Sequence, residues 1–457
     1  MMKAIFKISL LLLLGVLLFA GCKKDDPPAM IEIPDNAFLA ALILQGVDKN
    51  GDGEICSCEA EEIITLDVSM KDISDLTGIE AFVNLDSLHC GRNLLTSLDL
   101  SKNTALNYLV CFGNEITSLD VTNCIDLELL ACSDNPLGTL DLSNNTSLDT
   151  LSCGWCQLSA LDVSNNPELK FLSLTMNHIS ELDLSNNTEL EDLDCASNHS
   201  LPTVDLSNNL KLKKLDCIYN SFTSLDVSKN TLLEWFHCDV NQLSSLDVSN
   251  NTKLVRFGCS ENQLTSLHVP DNAPLEYLRC NYNQLTSLDV SNLSVLATLF
   301  CENNNITSLD VSDNPELVTL YCGDNQLSSL DVSHNSALRF LYAKNNQFTS
   351  LDVSMNPGLE FFHCGGNQLG SLDISSNPLL EVLDCSRNPL TSLDFSNNPL
   401  LGIGAWYFVT YIIEDIVLSE MPSLGEVCVW TMPFPPEGVT VDTTGSPNLF
   451  FTTTCSK

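Results

Sequence analysis

The chain repeats one phrase. At residues 246–266 it reads Leu-Asp-Val-Ser-Asn-Asn-Thr-Lys-Leu-Val-Arg-Phe-Gly-Cys-Ser-Glu-Asn-Gln-Leu-Thr-Ser, and the next copy begins at Leu267. The Leu-Asp pair recurs at Leu98, Leu119, Leu140, Leu161 and Leu182. It slips by one residue to Val204-Asp205, resumes at Leu225, and continues every 21 residues to Leu393. Only Leu267-His268 breaks the pair. So short a unit cannot bury its own apolar face, so it must stack on its neighbours, and the fold is a solenoid. Within each copy, apolar residues at alternate positions predict a short strand with Leu and Cys turned inward. Asn three residues after the Cys (Asn93, Asn114, Asn135, Asn220, Asn241, Asn262, Asn283) predicts a corner whose side chain satisfies backbone groups. Ser-Asn-Asn marks the opposite corner. Thr-Ser-Leu-Asp-Val-Ser alternates again and predicts a second short strand. Parallel stacking at roughly 4.8 Å gives about fifteen coils a length of roughly 70 Å.

The ends depart from this pattern. Lys3 and Lys7 precede an apolar run from Ile8 to Phe19, which closes at Ala20-Gly21-Cys22. This predicts a secretory signal over 1–21, too short for a membrane span. Residues 22–33 form a tether containing Pro27-Pro28. A helical cap follows over 34–65, with Asp35 as N-cap, an apolar stripe of Phe38, Leu39, Leu42, Ile43 and Leu44, and Gly46 as stop. Leu66-Asp67-Val68-Ser69 looks like half a repeat, and the repeats occupy 66–400. From about Leu401 the period is lost, and 401–457 reads as a β-type C-terminal cap that shields the last coil.

Within the first cap lies Asp48-Lys-Asn-Gly-Asp-Gly-Glu-Ile-Cys-Ser-Cys-Glu59, which matches the EF-hand calcium loop. Asp48, Asn50 and Asp52 supply side-chain oxygens, Gly53 permits the sharp turn, Glu54 offers its carbonyl, and Glu59 is the bidentate ligand. The alternative is an acidic glycine-rich turn that binds nothing. EF-hands usually pair, so a lone loop points to one structural Ca2+ rather than a sensor.

Leu-x-x-Leu-x-Cys-x-x-Asn, as in Leu275-Glu-Tyr-Leu-Arg-Cys-Asn-Tyr-Asn283, resembles the leucine-rich repeat with Cys in the last consensus Leu position. With the Leu-Asp-Val-Ser half and the preceding cap, residues 34–457 look like internalin-like surface proteins of Bacteroidetes. The resemblance implies a right-handed β-rich solenoid and a role in binding rather than catalysis. Gly21-Cys22 resembles a lipobox, with Phe19 where Leu is usual, which implies lipidation of Cys22. Lys23-Lys24-Asp25-Asp26 resembles a surface-export signal of some Bacteroidetes lipoproteins, implying an outer-membrane, surface-exposed location.

Composition narrows the choice of partner. With 20 basic and 59 acidic residues the formal charge is −39, which excludes binding driven by phosphate contacts and so excludes nucleic acid. Membrane association rests on the lipid anchor alone. The Cys of one repeat position (Cys90 to Cys385) gives way to Leu174 and Ala343, so that slot wants a small apolar group, not a metal or disulfide. Cys428 and Cys455, in the cap of an exported protein, are expected to pair. Cys56, Cys58, Cys124 and Cys156 are left unassigned. Neighbouring Ser and Thr can donate hydrogen bonds to the stacked Asp row (Asp99 to Asp394), which offsets the repulsion along it. Seven scattered His and no phosphate loop leave no catalytic set, so the chain is not expected to be an enzyme.

Specific function must sit where the repeat leaves positions open. The outward residues of the strand become aromatic and basic in later coils: Trp235, His237, Arg256, Tyr277, Arg279, Phe300, Tyr321, Phe340, Tyr342, Phe361 and His363. Such a strip in so acidic a protein reads as a ligand-binding surface, although aromatic residues also favour strands for packing reasons. The expected protein is a monomeric surface lipoprotein that binds a protein or glycan. The alternatives are an adhesive spacer without a ligand and a polysaccharide-capturing lipoprotein.

Overall fold

The computed structural model describes residues 29–402, 415–436 and 439–455. The signal sequence, Cys22 and most of the tether lie outside the described residues. A parallel sheet of eighteen strands runs the length of the molecule, from Thr65–Asp67 to Val441–Asp442. Each repeat adds one three-residue strand, such as Arg256–Gly258, whose residues stand directly beside their equivalents in the next coil: Arg256 beside Tyr277, Phe257 beside Leu278. The register is fixed because a slip of one residue would turn Phe257 and Leu278 out of the core.

The interior is a set of stacked rows. Leu254, Phe257, Cys259, Leu264 and Val248 are all fully buried, and every other coil repeats the set. The Cys row is a column of buried thiols. Phe236, Phe257 and Phe362 fill a position that is Leu in most coils, and the first two stack at 5.4 Å. At the corner after the strand, Asn262 Nδ2 donates to the carbonyls of Cys238, Cys259 and Ser260, while its oxygen accepts the Leu243 N–H at 3.0 Å. The chain then turns in left-handed backbone two residues after each Cys, with φ of 58° at Asp134, 56° at Asn303 and 67° at Gly366. That conformation costs most side chains about 1 kcal/mol or more, and Gly, Asn and Asp least. At the opposite corner Asn251 donates to Val227 and Asn230, but its oxygen is buried without a partner. Two of the four unassigned cysteines stand in these corner slots. Cys156 replaces the first Asn, with its Sγ 3.3 Å from the Cys132 carbonyl, and Cys124 replaces the second.

Four expectations are corrected. From Leu98 to Leu372 the Thr-Ser-Leu-Asp-Val-Ser half forms no strand, and only its last copy, at Ser392–Asp394, does. Its isolated bridges among the described residues join Leu98 with Leu119 and Asp247 with His268. The coils are wider apart there: the Thr117 N–H reaches the Thr96 carbonyl at 3.4 Å, against 2.8 Å for Cys111 to Ala131 on the strand side. Instead each Asp turns the chain by accepting the N–H two residues on, as Asp247 does from Ser249 at 2.9 Å. These bonds hold the carboxyl pKa of Asp247 and its equivalents below the usual range. Second, Leu66-Asp67-Val68 lies in the main strand row, with Leu66 beside Leu88, not in the Leu-Asp-Val row. Third, the tail keeps the coil. Leu383 pairs with Ile416 and Ile416 with Val441, while Ser392–Asp394, Glu426–Cys428 and Phe450–Thr452 form a second sheet of three strands. Ser446 takes over the corner role of Asn, donating to Leu418 and accepting from Met421. Fourth, the helix Asn36–Leu44 buries Phe38, Ala41 and Leu42 but leaves Ile43 and Leu44 exposed. Asp35 caps that helix with one oxygen and holds Ser74 and Asp75 with the other, which docks the cap on the first coil.

Candidate ligand-binding face

The strand face carries two outward columns, one before and one after each inward Leu or Phe. Trp235 is 39% exposed, and the Arg256 guanidinium lies 5.5 Å from its ring and 6.0 Å from that of Tyr277. Trp235 Nε1 donates to His237, whose pKa burial holds below the ordinary value, so the ring is a neutral acceptor at neutral pH. Further along, Tyr277, Phe300, Tyr321 and Tyr342 are in contact in sequence, at centroid separations of 5.8, 4.9 and 5.1 Å. Tyr321 and Tyr342 are nearly parallel, at 20°, as are Tyr342 and His363, at 25°. Stacked this way, the rings cover each other's faces and turn their edges outward. Tyr342 lies against Gly323, where a Cβ would come within 2.6 Å of the ring.

Two of the expected anchors are not exposed. Phe361 is 1% and His363 9% accessible, and they stack on each other at 4.6 Å. His363 has no hydrogen-bond partner at either ring nitrogen, and burial lowers its pKa to about 4 although Asp384 is 3.8 Å away. These two belong to the packed end of the aromatic row. The others, from Trp235 to Tyr342 with Phe340, remain at least partly accessible.

A third column, the residue just after each Cys, was not singled out from sequence. Asp239, Ser260, Asn281 and Glu302 stand there on successive coils. Asp239 accepts the Ser260 N–H at 2.7 Å, and its carboxylate occupies the space that a side chain at Gly258 would need. Arg279 Nε donates to Asn281, and Asn281 to Glu302. Burial pushes Glu302 up to about 7, and burial also raises Asp216, stacked beside Asp194, to about 6. The signal was present in the spacing, since alternation continues one step past Cys, but a three-residue strand gives little period to read.

In the first cap the acidic loop is tightly wound. Asp48 accepts from Gly51 and Gly53, Asn50 from Asp52, and Asp52 from Glu54. Glu59, 6% exposed on the short helix Ser57–Ala60, turns back to accept from Lys49 at 2.9 Å and Cys56 at 3.0 Å. Asp48, Asn50, Asp52 and Glu59 thus face one loop interior, with Gly51 and Gly53 at φ of 77° and 83°. Cys56 is disulfide-bonded to Cys58, and Cys428 to Cys455. A polar groove of about 770 Å³ opens on the other edge of the solenoid, beside Asp205, Asp226, Asp247 and His268, and includes none of the expected anchors.

A parallel strand per coil, an Asn corner and a leucine-lined core define a leucine-rich-repeat protein. The chain is 31% identical to the functional domain of InlJ from Listeria monocytogenes, whose structure includes a cysteine ladder, over 87% of this chain and 75% of that one, with a TM-score of 0.60. It belongs to the leucine-rich-repeat family. YopM from Yersinia enterocolitica shares the fold at 21% identity, covering 86% of this chain and 92% of that one, with a TM-score of 0.61. So does the ectodomain of the Arabidopsis thaliana receptor kinase GASSHO1/SCHENGEN3, in complex with CASPARIAN STRIP INTEGRITY FACTOR 2. It is 22% identical over 80% of this chain and 48% of that one, with a TM-score of 0.65. No protein-family profile and no curated protein matches the sequence.

Proposed function

We propose that this chain is a non-catalytic binding protein that presents its strand face to a protein ligand. Trp235, Arg256, Tyr277, Phe300, Tyr321 and Tyr342 serve as anchors. The observation that carries this reading is the aromatic row itself: accessible rings held by one another on a rigid sheet, which lose little conformational freedom on binding. The stacking favours protein over glycan, because a sugar needs an open ring face and Tyr321 and Tyr342 cover each other's. The plant receptor ectodomain of similar fold is in complex with a protein ligand, which agrees. The lipobox-like Gly21-Cys22 and the Lys23-Lys24-Asp25-Asp26 stretch after it, which resembles an export signal, support attachment to an outer membrane and display at the cell surface.

The test is retention of ligand from cell-surface extracts by the mature ectodomain and by the triple variant Trp235→Ala, Tyr321→Ala, Tyr342→Ala. Central aromatic anchors each contribute about 2 kcal/mol or more, so affinity should fall by at least roughly a hundredfold. Unchanged retention would overturn the proposal. Binding to a glycan array but to no protein would transfer it to the polysaccharide reading, and no binding at all to the spacer.

The acidic loop is proposed to hold one structural calcium ion. The residues fit the ion: four side chains offer oxygens toward the loop interior, Glu54 adds a carbonyl, and two glycines permit the turn. Bound there, calcium would neutralise the converging carboxylates and brace the cap against the first coil. Calorimetry should show calcium uptake by the wild type and none by Glu59→Ala, with calcium raising the thermal midpoint of the wild type alone. Equal heats from both proteins would remove the ion from this site.

A further inference from the structure

The left-handed turn after each strand is occupied in two different ways along the molecule. In the coils from Asn303 to Gly366 the residues are those the conformation suits, Asn303, Asp324, Asn345 and Gly366, whereas Tyr282 and Arg387 stand on either side of that run. In the middle coils they are Trp155, Met176, Ser197, Tyr219 and Val240, at φ of 59°, 57°, 57°, 53° and 55°, so that four of the five are large and the small Ser197 stands between two pairs. A β-branched residue such as Val240 is a genuine outlier there. The core does not repay this strain, since Trp155 is 58%, Met176 41% and Tyr219 49% exposed. Trp155, Met176 and Tyr219 thus sit in unfavourable backbone and face water, with Val240 half-buried beside them, along a rim that borders the strand face. Backbone strain kept without packing in return is a mark of function rather than folding.

The rim's surroundings define what can cover it. Asp134 and Glu261 occupy the same row at its two ends, and Asp194, Asp216 and Asp239 stand in the adjacent columns. Asp134, Asp194, Asp216, Asp239 and Glu261 make no ion pair among the described residues. No lysine or arginine stands in those columns between Asp134 and Glu261. We propose that the rim formed by Trp155, Met176, Tyr219 and Val240 is a docking surface for a basic segment of another protein, one that carries apolar side chains among its lysines and arginines. The apolar side chains pack on the rim, and the cationic groups meet the exposed Asp134 and Glu261 and the half-buried Asp194 and Asp216 beside it, while Asp239 is buried and adds only its charge. This surface is separate from the aromatic strip and does not depend on it.

The probe is a short amphipathic peptide of Leu and Lys, with a Ser-Lys peptide as the control for charge alone and a Leu-Glu peptide for apolar contact alone. The full ectodomain should bind the Leu-Lys peptide at least about tenfold more tightly than the Ser-Lys peptide, and the Leu-Glu peptide not at all. The variant Trp155→Asn, Met176→Asn, Tyr219→Asn, Val240→Asn should bind the two lysine peptides alike. Its thermal midpoint should equal or exceed that of the wild type, because Asn tolerates left-handed backbone. The strip variant Tyr321→Ala, Tyr342→Ala should keep the preference for Leu-Lys. A rim variant that keeps the preference, a strip variant that loses it, or a rim variant with a lower midpoint would each overturn the proposal. The last would show that these side chains serve the fold.

Discussion

Asn262→Ala is expected to lower the unfolding free energy by about 3 kcal/mol, read from urea denaturation, because each buried backbone group left without a partner costs about 1–3 kcal/mol. One amide serves four backbone groups in two neighbouring coils: three carbonyls through Nδ2 and the Leu243 N–H through Oδ1. The site is largely closed to the solvent that could replace it, since Asn262 is 9% exposed and the groups it serves are buried. The opposite corner is the control. Asn251 donates twice but its oxygen already lacks a partner, and the same slot holds Ala273 and Leu293 elsewhere in the chain. Asn251→Ala should therefore cost clearly less. Asn262→Cys should fall between the two, because Cys156 already occupies the equivalent corner. There the Leu137 N–H takes the Asn135 carbonyl instead. Equal losses for Asn262→Ala and Asn251→Ala would show that the corner bonds do not carry the stability assigned to them.

Phe257→Ala should be the second large effect, and its form matters as much as its size. Truncating a fully buried Phe costs about 3–5 kcal/mol, here with the added loss of its stack on Phe236. Phe257→Leu should cost under about 1.5 kcal/mol, since most coils carry Leu in that row. In a solenoid each coil contacts only its neighbours, so a weak coil in the middle uncouples the two halves. Phe257→Ala should therefore split one unfolding transition into two. Phe362→Ala, near the last coils, should instead fray that end and leave one main transition. A single, merely shifted transition for Phe257→Ala would mean that cooperativity extends beyond nearest neighbours.

Most of the fold was legible because its signal is repeated. Any one Leu-x-x-Leu-x-Cys is weak, but the same alternation at a constant interval leaves one arrangement in which all copies bury their leucines. The substitutions Leu174 and Ala343 by themselves mark the Cys row as core. Where the repeat is altered, the sequence misled. The last coils were hidden because Leu383 and Ile416 are separated by more than one period, and Ser446 and Met421 replace the corner Asn residues. The second strand of each coil was overread, because alternation records which side chains are buried and not how far apart the backbones lie.

The binding face divides along the same line. That Trp235, Tyr277, Phe300, Tyr321 and Tyr342 share one face follows from period and alternation alone, and so does the calcium-type spacing of Asp48 to Glu59. Which of these residues a ligand can reach depends on packing between coils. Tertiary structure alone stacks Tyr321 on Tyr342, buries Phe361 and His363 at the end of the row, and places Asp239 over Gly258. It alone puts Trp155, Met176 and Tyr219 in left-handed backbone facing water, with Val240 half-buried in the same row. The physical reason is that periodicity reports the environment averaged over coils, whereas ring orientation, exposure and backbone strain depend on the particular neighbours on either side.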